Sequence, residues 1–150
     1  MFRGQHQHAI DAKGRTSLPA RFREVLATAA DSRLMITTAL DRYLVAYTMQ
    51  AWLDFEQQLD AQPQFDKAVT RIRRVYIGGS AECEVDKMGR VLLPQRLRDW
   101  AKLDRELLWV GVGKRIEVWQ PEAYAAEFDD IVESDEKRAA VEQRLAELGL

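Results

Sequence analysis

Two stretches of the chain place an aspartate and an arginine four positions apart around a glycine: Asp11-Ala12-Lys13-Gly14-Arg15 and Asp86-Lys87-Met88-Gly89-Arg90. An aspartate that opens a turn can accept hydrogen bonds from backbone N–H groups ahead of it, and the glycine supplies the positive φ that a hairpin loop with an extra residue requires. The arginine after the glycine carries a planar fork of donors that matches guanine O6 and N7. A two-stranded ribbon is narrow enough to bring it into the major groove of DNA. An aspartate across the turn can hold that guanidinium in position and lower the entropy lost on contact. A single turn of this kind is more often a solvated ion pair worth about 0 to 1 kcal/mol.

Duplication shifts the balance. Asp11–Arg23 and Asp86–Arg98 align at an offset of 75 with seven identities in thirteen positions: Asp11/Asp86, Gly14/Gly89, Arg15/Arg90, Leu18/Leu93, Pro19/Pro94, Arg21/Arg96 and Arg23/Arg98. The likeness resumes at an offset of 72, where Leu44, Ala46, Tyr47 and Trp52 fall on Ile116, Val118, Trp119 and Tyr124. Turn and charged positions are kept while apolar ones drift, as in Phe22/Leu97 and Val25/Trp100, and this points to use of the loops rather than to packing alone. Arg21, Arg23, Arg96 and Arg98 lie close enough in sequence to reach phosphates, which position a protein without specifying sequence. The candidate DNA-contacting set is therefore Asp11, Lys13, Arg15, Arg21 and Arg23 with Asp86, Lys87, Arg90, Arg96 and Arg98.

Other chemistry finds little support. His6 and His8 would share a strand face near Asp11, but no third soft ligand accompanies them, so no metal or cofactor is expected. Cys83, the single cysteine, falls on the apolar phase of a strand with no base near it in sequence, and reads as a small core residue rather than a nucleophile. Asp129-Asp130 and Asp135-Glu136 sit in a charge-rich helical tail that reads as solvated surface. No nucleotide-binding glycine loop occurs.

The elements that must carry the turns repeat with them. Ala81, Cys83 and Val85 alternate with glutamates, and Val91 and Leu93 resume the alternation beyond the turn, the period of a half-buried strand. Pro19 and Pro94 suit the first position of a helix. The helices that follow bear apolar stripes at Phe22, Val25 and Leu26 and at Leu97, Trp100 and Ala101, leaving the arginines off the stripe. Each copy then predicts two strands around a tight turn, at Asp41-Arg42 and Gly113-Lys114, and a helix, with Trp52, Phe55 and Leu59 inward in the first and Tyr124, Phe128, Ile131 and Val132 in the second. Phe65, Ala68, Val69, Ile72, Val75 and Tyr76 predict an Arg-bearing helix between the copies, ended by Gly78-Gly79. Val141, Leu145 and Leu148 give a last helix a narrow apolar face. The expected organisation is a first module over 1–62, a linking helix over 63–80 and a second module with the terminal helices over 81–150, together an α+β fold.

Bulk composition sets the frame. An apolar content of 47% suits a globular fold of 150 residues. No apolar run approaches the roughly 20 residues of a bilayer span, and the amino-terminal residues lack a secretory core, so a cytoplasmic, nucleoid-associated protein is expected. The net charge of −2 hides a division. Met1–Pro121 has 19 basic against 15 acidic residues, and Glu122–Leu150 has 3 against 9. Attraction to phosphate acts within a Debye length of about 8 Å, so a basic face coexists with an acidic tail.

The pair of D-x-x-G-R turns, each followed by L-P-x-R-[FL]-R, with an amino-terminal "MFRG", "RRVYIGGSAECEV" before the second turn and "IEVWQPEAY" near the end, closely resembles the MraZ family of transcriptional regulators. That resemblance implies two AbrB-like swapped-hairpin modules in one chain, ring-shaped homo-oligomers, and binding to short direct repeats in the promoter of the division and cell-wall operon. It places the DNA-contacting pairs at Asp11 with Arg15 and Asp86 with Arg90. A rival class is an antitoxin-like interaction module that neutralises a partner protein; it predicts one barrel motif per chain and a disordered tail. A small hydrolase built on Cys83 or a serine would need a nucleophile–base pair that the sequence does not show.

Overall fold

The computed structural model describes residues 1–150, which form two compact units, Met1–Gln120 and Pro121–Leu150. The first unit holds β1 (Phe2–Ala9), β2 (Arg15–Ser17), α1 (Ala20–Thr28), β3 (Arg33–Thr38), β4 (Leu44–Thr48), α2 (Met49–Asp60), α3 (Lys67–Ile72) with a π-helical continuation over Arg73–Ile77, β5 (Ala81–Glu84), β6 (Arg90–Leu92), α4 (Gln95–Trp100), β7 (Glu106–Gly113) and β8 (Arg115–Trp119). The second unit is a helix pair, α5 (Pro121–Glu133) and α6 (Asp135–Glu147). No helix is long and apolar enough to cross a membrane.

The fold is α+β and all strand pairs are antiparallel. Six strands form one sheet in the order β1-β7-β8-β4-β3-β5, while β2 and β6 pair as a separate ribbon. Exchanging the copies, β1 for β5, β3 for β7 and β4 for β8, reverses the sheet order onto itself. The duplication is thus expressed as a pseudo-twofold between β4 and β8. The strands are also traded: β1 lies along β7 of the other copy, from Phe2 opposite Gly113 to Ala9 opposite Glu106, and β5 lies along β3, from Arg33 opposite Glu84 to Ile36 opposite Ala81. Neither copy closes on its own strands.

One core serves both copies. Leu18, Phe22, Leu34, Ile36 and Leu44 from the first and Val91, Leu93, Leu97, Leu107, Trp109 and Ile116 from the second are all buried in it, each contributing about 1.5–3 kcal/mol of apolar burial for side chains of this size. Of the predicted stripes, Phe22, Leu26, Leu97 and Ala101 are buried, while Val25 and Trp100 are half-buried and pack against the core. Trp100 donates its indole N–H to the Asp41 carbonyl at 3.1 Å, with Arg42 stacked over the ring.

Several expectations shift by local physics. Pro19 and Pro94 stand one residue ahead of the helices, with extended ψ of 139° and 144°, and the Pro19 carbonyl accepts from Phe22 N at 2.9 Å; they cap the helices instead of opening them. Phe65 lies before α3 and is exposed, as is Ala68, so the inward face of the linking helix narrows to Val69, with Ile72, Val75 and Tyr76 half-buried. That helix changes register near its end: Gly78 N bonds the Arg73 carbonyl at 2.9 Å, five residues back, and the carbonyls of Val75 and Tyr76 accept from the hydroxyls of Thr38 (2.6 Å) and Thr37 (2.5 Å) on β3. A side chain on Gly79 would collide with Thr38 and with the Val75 carbonyl, which is why the helix stops on glycine there. In the second unit, Ser134 caps α6 by accepting from Lys137 N at 3.3 Å, Lys137 pairs with Asp130, and Phe128, Ile131, Val132, Val141, Leu145 and Leu148 are exposed.

Candidate nucleic-acid interface

Each repeated turn is closed from within. In the first, Asp11 Oδ1 accepts from the backbone N–H of Lys13 and of Arg15, both at 2.9 Å, and Oδ2 accepts from Arg15 Nε at 2.7 Å. In the second, Asp86 Oδ1 accepts from Met88 N and Arg90 N, both at 2.9 Å, and Oδ2 from Arg90 Nε at 3.2 Å. Gly14 and Gly89 adopt φ of 89° and 76°, a conformation that side-chain-bearing residues enter only at a cost. The Arg15 backbone N–H, helped by its guanidinium and by the Lys13 N–H, holds the Asp11 carboxyl down to about 2. The Arg90 N–H and guanidinium lower Asp86 likewise. Both carboxylates are therefore ionised at neutral pH.

The ribbon sets where the arginines point. In β2–β6, Arg15 stands opposite Leu92, Thr16 opposite Val91 and Ser17 opposite Arg90. Side chains alternate along a strand, so Arg15, Ser17, Arg90 and Leu92 share one face while Thr16 and Val91 share the other. Burial divides the same way: Thr16 and Val91 are 2% and 0% exposed, Ser17 and Leu92 are exposed, and the two arginines are half-exposed. Arg15 and Arg90 thus stand on one open face, two residue steps or roughly 7 Å apart along the ribbon.

The turns are braced across the copies. Leu18 N donates to the Gly89 carbonyl at 2.8 Å and Leu93 N to the Gly14 carbonyl at 2.9 Å. Arg98 from α4 lies against Gly14, and Arg23 from α1 lies against Gly89. Behind the turns run two clefts, one lined by Arg23, Val85, Asp86 and Lys87 and the other by Arg98, Ile10, Asp11 and Arg105. Among the remaining predicted residues, Lys13 and Lys87 are exposed within the turns and Arg21 is exposed in the first turn of α1. Arg96 donates to the Gly79 carbonyl at 3.1 Å, toward the end of the linking helix, and is not gathered with its repeat-mate. His8 Nδ1 lies 2.5 Å from the Ser17 carbonyl, and the His6 ring packs edge-on to Phe22. Cys83 is buried and its thiol is pushed up to about 11 by that burial.

Sequence reasoning did not single out Ser17 and Leu92, which share the open face with the arginines. Their signal was the alternation through Thr16 and Val91, visible only once β2 is known to pair with β6.

Comparison with known proteins adds the lineage. The family model for MraZ protein, described as antitoxin-like, matches residues 1–75 and again 76–147. Curated proteins named Transcriptional regulator MraZ are similar over nearly the whole chain. That of Saccharophagus degradans is 42% identical over 137 residues, covering 91% of this chain and 93% of its own. That of Desulforamulus reducens is 46% identical over 125 residues, covering 83% and 84%. That of Acetivibrio thermocellus is 38% identical over 153 residues and covers both chains completely. The duplicated body and these likenesses define a protein of the transcriptional-regulator class and not an enzyme. Within that class, the chain belongs to the MraZ family.

Proposed function

We propose that the protein binds double-stranded DNA sequence-specifically through the open face of the β2–β6 ribbon. The observation that carries this reading is the placement of Arg15 and Arg90 on one face, each with its Nε held by an aspartate. The Nη pair of each guanidinium is the edge offered to a guanine in the major groove. Lys13, Lys87, Arg21, Arg23 and Arg98 supply positive charge for the flanking phosphates. The resemblance of the motifs supports a target of short direct repeats in the promoter of the division and cell-wall operon.

Assembly into a closed ring of identical subunits completes the proposal. Met1, Leu40 and Val112 are exposed around a cleft lined by Tyr47, Phe55, Ile72 and Tyr76, and the helix pair leaves Phe128, Ile131 and Val132 exposed; apolar surface of this extent favours an interface between subunits. Light scattering at micromolar concentration should give a multiple of the subunit mass, and a monomer would overturn the assembly.

The DNA reading is tested by titrating specific and scrambled duplexes with single variants. Arg15→Ala and Arg90→Ala should each lose about 1 to 3 kcal/mol on the specific duplex and flatten base preference at one position. Full discrimination retained in both would reduce the repeated turn to a structural device.

A further inference from the structure

We infer that Arg98 and Arg23 are positioning residues exchanged between the copies: Arg98, from the second, sets the turn that presents Arg15, and Arg23, from the first, sets the turn that presents Arg90. This rests on the DNA reading above and assigns which residues make each turn able to read.

The approach of each guanidinium to the far glycine is reciprocal, and Arg98 carries one bond more. A Cβ placed on Gly14 would stand 2.7 Å from Arg98 Cζ and 2.8 Å from its Nε and Nη2. The Arg98 guanidinium therefore occupies the space that the missing side chain leaves. Its Nε donates to the Leu93 carbonyl at 3.0 Å, and Leu93 N donates to the Gly14 carbonyl at 2.9 Å. Guanidinium, Leu93 peptide and Gly14 close a circuit within the second copy's reach. On the other side, a Cβ on Gly89 would stand 2.7 Å from Arg23 Cδ and 2.8 Å from its Cζ, and Leu18 N donates to the Gly89 carbonyl at 2.8 Å.

Placement of the glycine matters because it immediately precedes the reading arginine. The bonds from Arg15 N and Lys13 N to Asp11 close the turn upon itself, but bonds within a turn do not fix its direction relative to the body. The Leu93–Gly14 bond and the Arg98 guanidinium do, and both come from the other copy. Glycine thus serves twice, by adopting positive φ and by admitting a guanidinium against its Cα. The same pairing accounts for the last arginine of each repeated motif, which lies at the far copy's turn. A phosphate contact by the same residue uses its charge; positioning uses its planar shape and, in Arg98, the Nε bond to the Leu93 carbonyl, and lysine keeps the charge while losing the planar fork.

Selection of bound sites from random duplexes by the full chain separates the two. Arg15→Ala and Arg90→Ala first mark the base positions that each turn reads. Arg98→Lys should then degrade preference at the Arg15 positions, lowering the specific-to-scrambled ratio roughly 5- to 10-fold, the low end of the range given by a lost base contact, with an unchanged slope of log K against log salt. Arg23→Lys should do the same at the Arg90 positions. Equal weakening on all duplexes, or loss at the positions read by the variant's own copy, would overturn the assignment. Amide hydrogen exchange of the free protein gives a readout without DNA: Arg98→Lys should speed exchange at Arg15 and leave Arg90 unchanged, and Arg23→Lys the reverse. Unchanged exchange at both turns would overturn the positioning roles whatever the DNA result, whereas intact base preference in Arg15→Ala and Arg90→Ala would overturn only the DNA reading.

Discussion

Asp11 is exposed yet strongly acidic, because ionising it completes three hydrogen bonds around one turn. An ordinary unfolded aspartate titrates near 3.9, and the folded value lies at about 2. A depressed carboxylate contributes stability that is present above the unfolded value and is lost as pH falls through the folded one. The turn should therefore hold unchanged from pH 8 to pH 5 and loosen between about pH 4 and pH 2, which carboxyl-carbon NMR of Asp11 would follow; a midpoint near 4 would refute the geometry. Asp11→Asn keeps an acceptor for the backbone N–H groups but gives up the charge facing Arg15 Nε. It should fold normally and lose specific binding about as Arg15→Ala does, as titration with specific duplex would show. Cys83 gives the opposite case. Burial pushes its thiol up to about 11, so a thiol reagent at pH 8 should leave it untouched until denaturant is added.

The ribbon carries a difference between the copies that the repeat makes visible. Thr16 and Val91 face each other in the same register pair, and the Thr16 hydroxyl is buried without a hydrogen-bond partner. A buried hydroxyl left unpaired costs about 1–3 kcal/mol, whereas valine at Val91 incurs no such cost. Thr16→Val should stabilise the protein by about 1 kcal/mol, a rise in Tm of roughly 2–4 °C, read by thermal unfolding; a lower Tm would mean that the hydroxyl is satisfied. Elements of this length were legible in the sequence. The turn glycines, the alternation through Cys83 and Val85, the apolar stripes and both hairpin turns follow from local chemistry. Partnership between strands does not, since a period of two says which face is buried and nothing about which strand lies alongside. The geometry of the candidate turns was legible to the same extent. Asp11 with Arg15 and Asp86 with Arg90 are neighbours along the chain, so their pairing could be read directly, while the approach of Arg98 to Gly14 spans the two copies. Arg96 shows the limit from the other side: it matches Arg21 in the repeat, yet the Gly79 carbonyl lies within its reach and draws it away. The π-helical turn was hidden because it depends on Thr37 and Thr38 of a distant strand.

Across the whole molecule, charge is divided more sharply than its total suggests, with the 9 acidic residues of Glu122–Leu150 set against a basic body. Should the ribbon be the DNA-contacting face, log K should fall with log salt at about −0.9 per phosphate neutralised despite the acidic pI of about 5.8; a flat response in titrations from 50 to 200 mM salt would exclude it, the two concentrations being those over which such losses are commonly large. The traded strands lead to a further expectation. Fragments 1–79 and 80–150 should each lack a cooperative melt alone and regain one when mixed, since each holds the partner strand of the other; independent melting of either fragment would contradict the exchange. Synthesis imposes the same dependence in time. β1 leaves the ribosome well before its partner β7, which begins only at Glu106, so at about 5–20 residues per second β1 waits roughly 5 to 20 seconds with its edge unpaired. During that interval a second nascent chain offers the same surfaces. The arrangement that lets one chain brace its own turns thus also lets two chains on one messenger entangle, the β7 of the chain further along in synthesis pairing with the waiting β1 of the chain behind it.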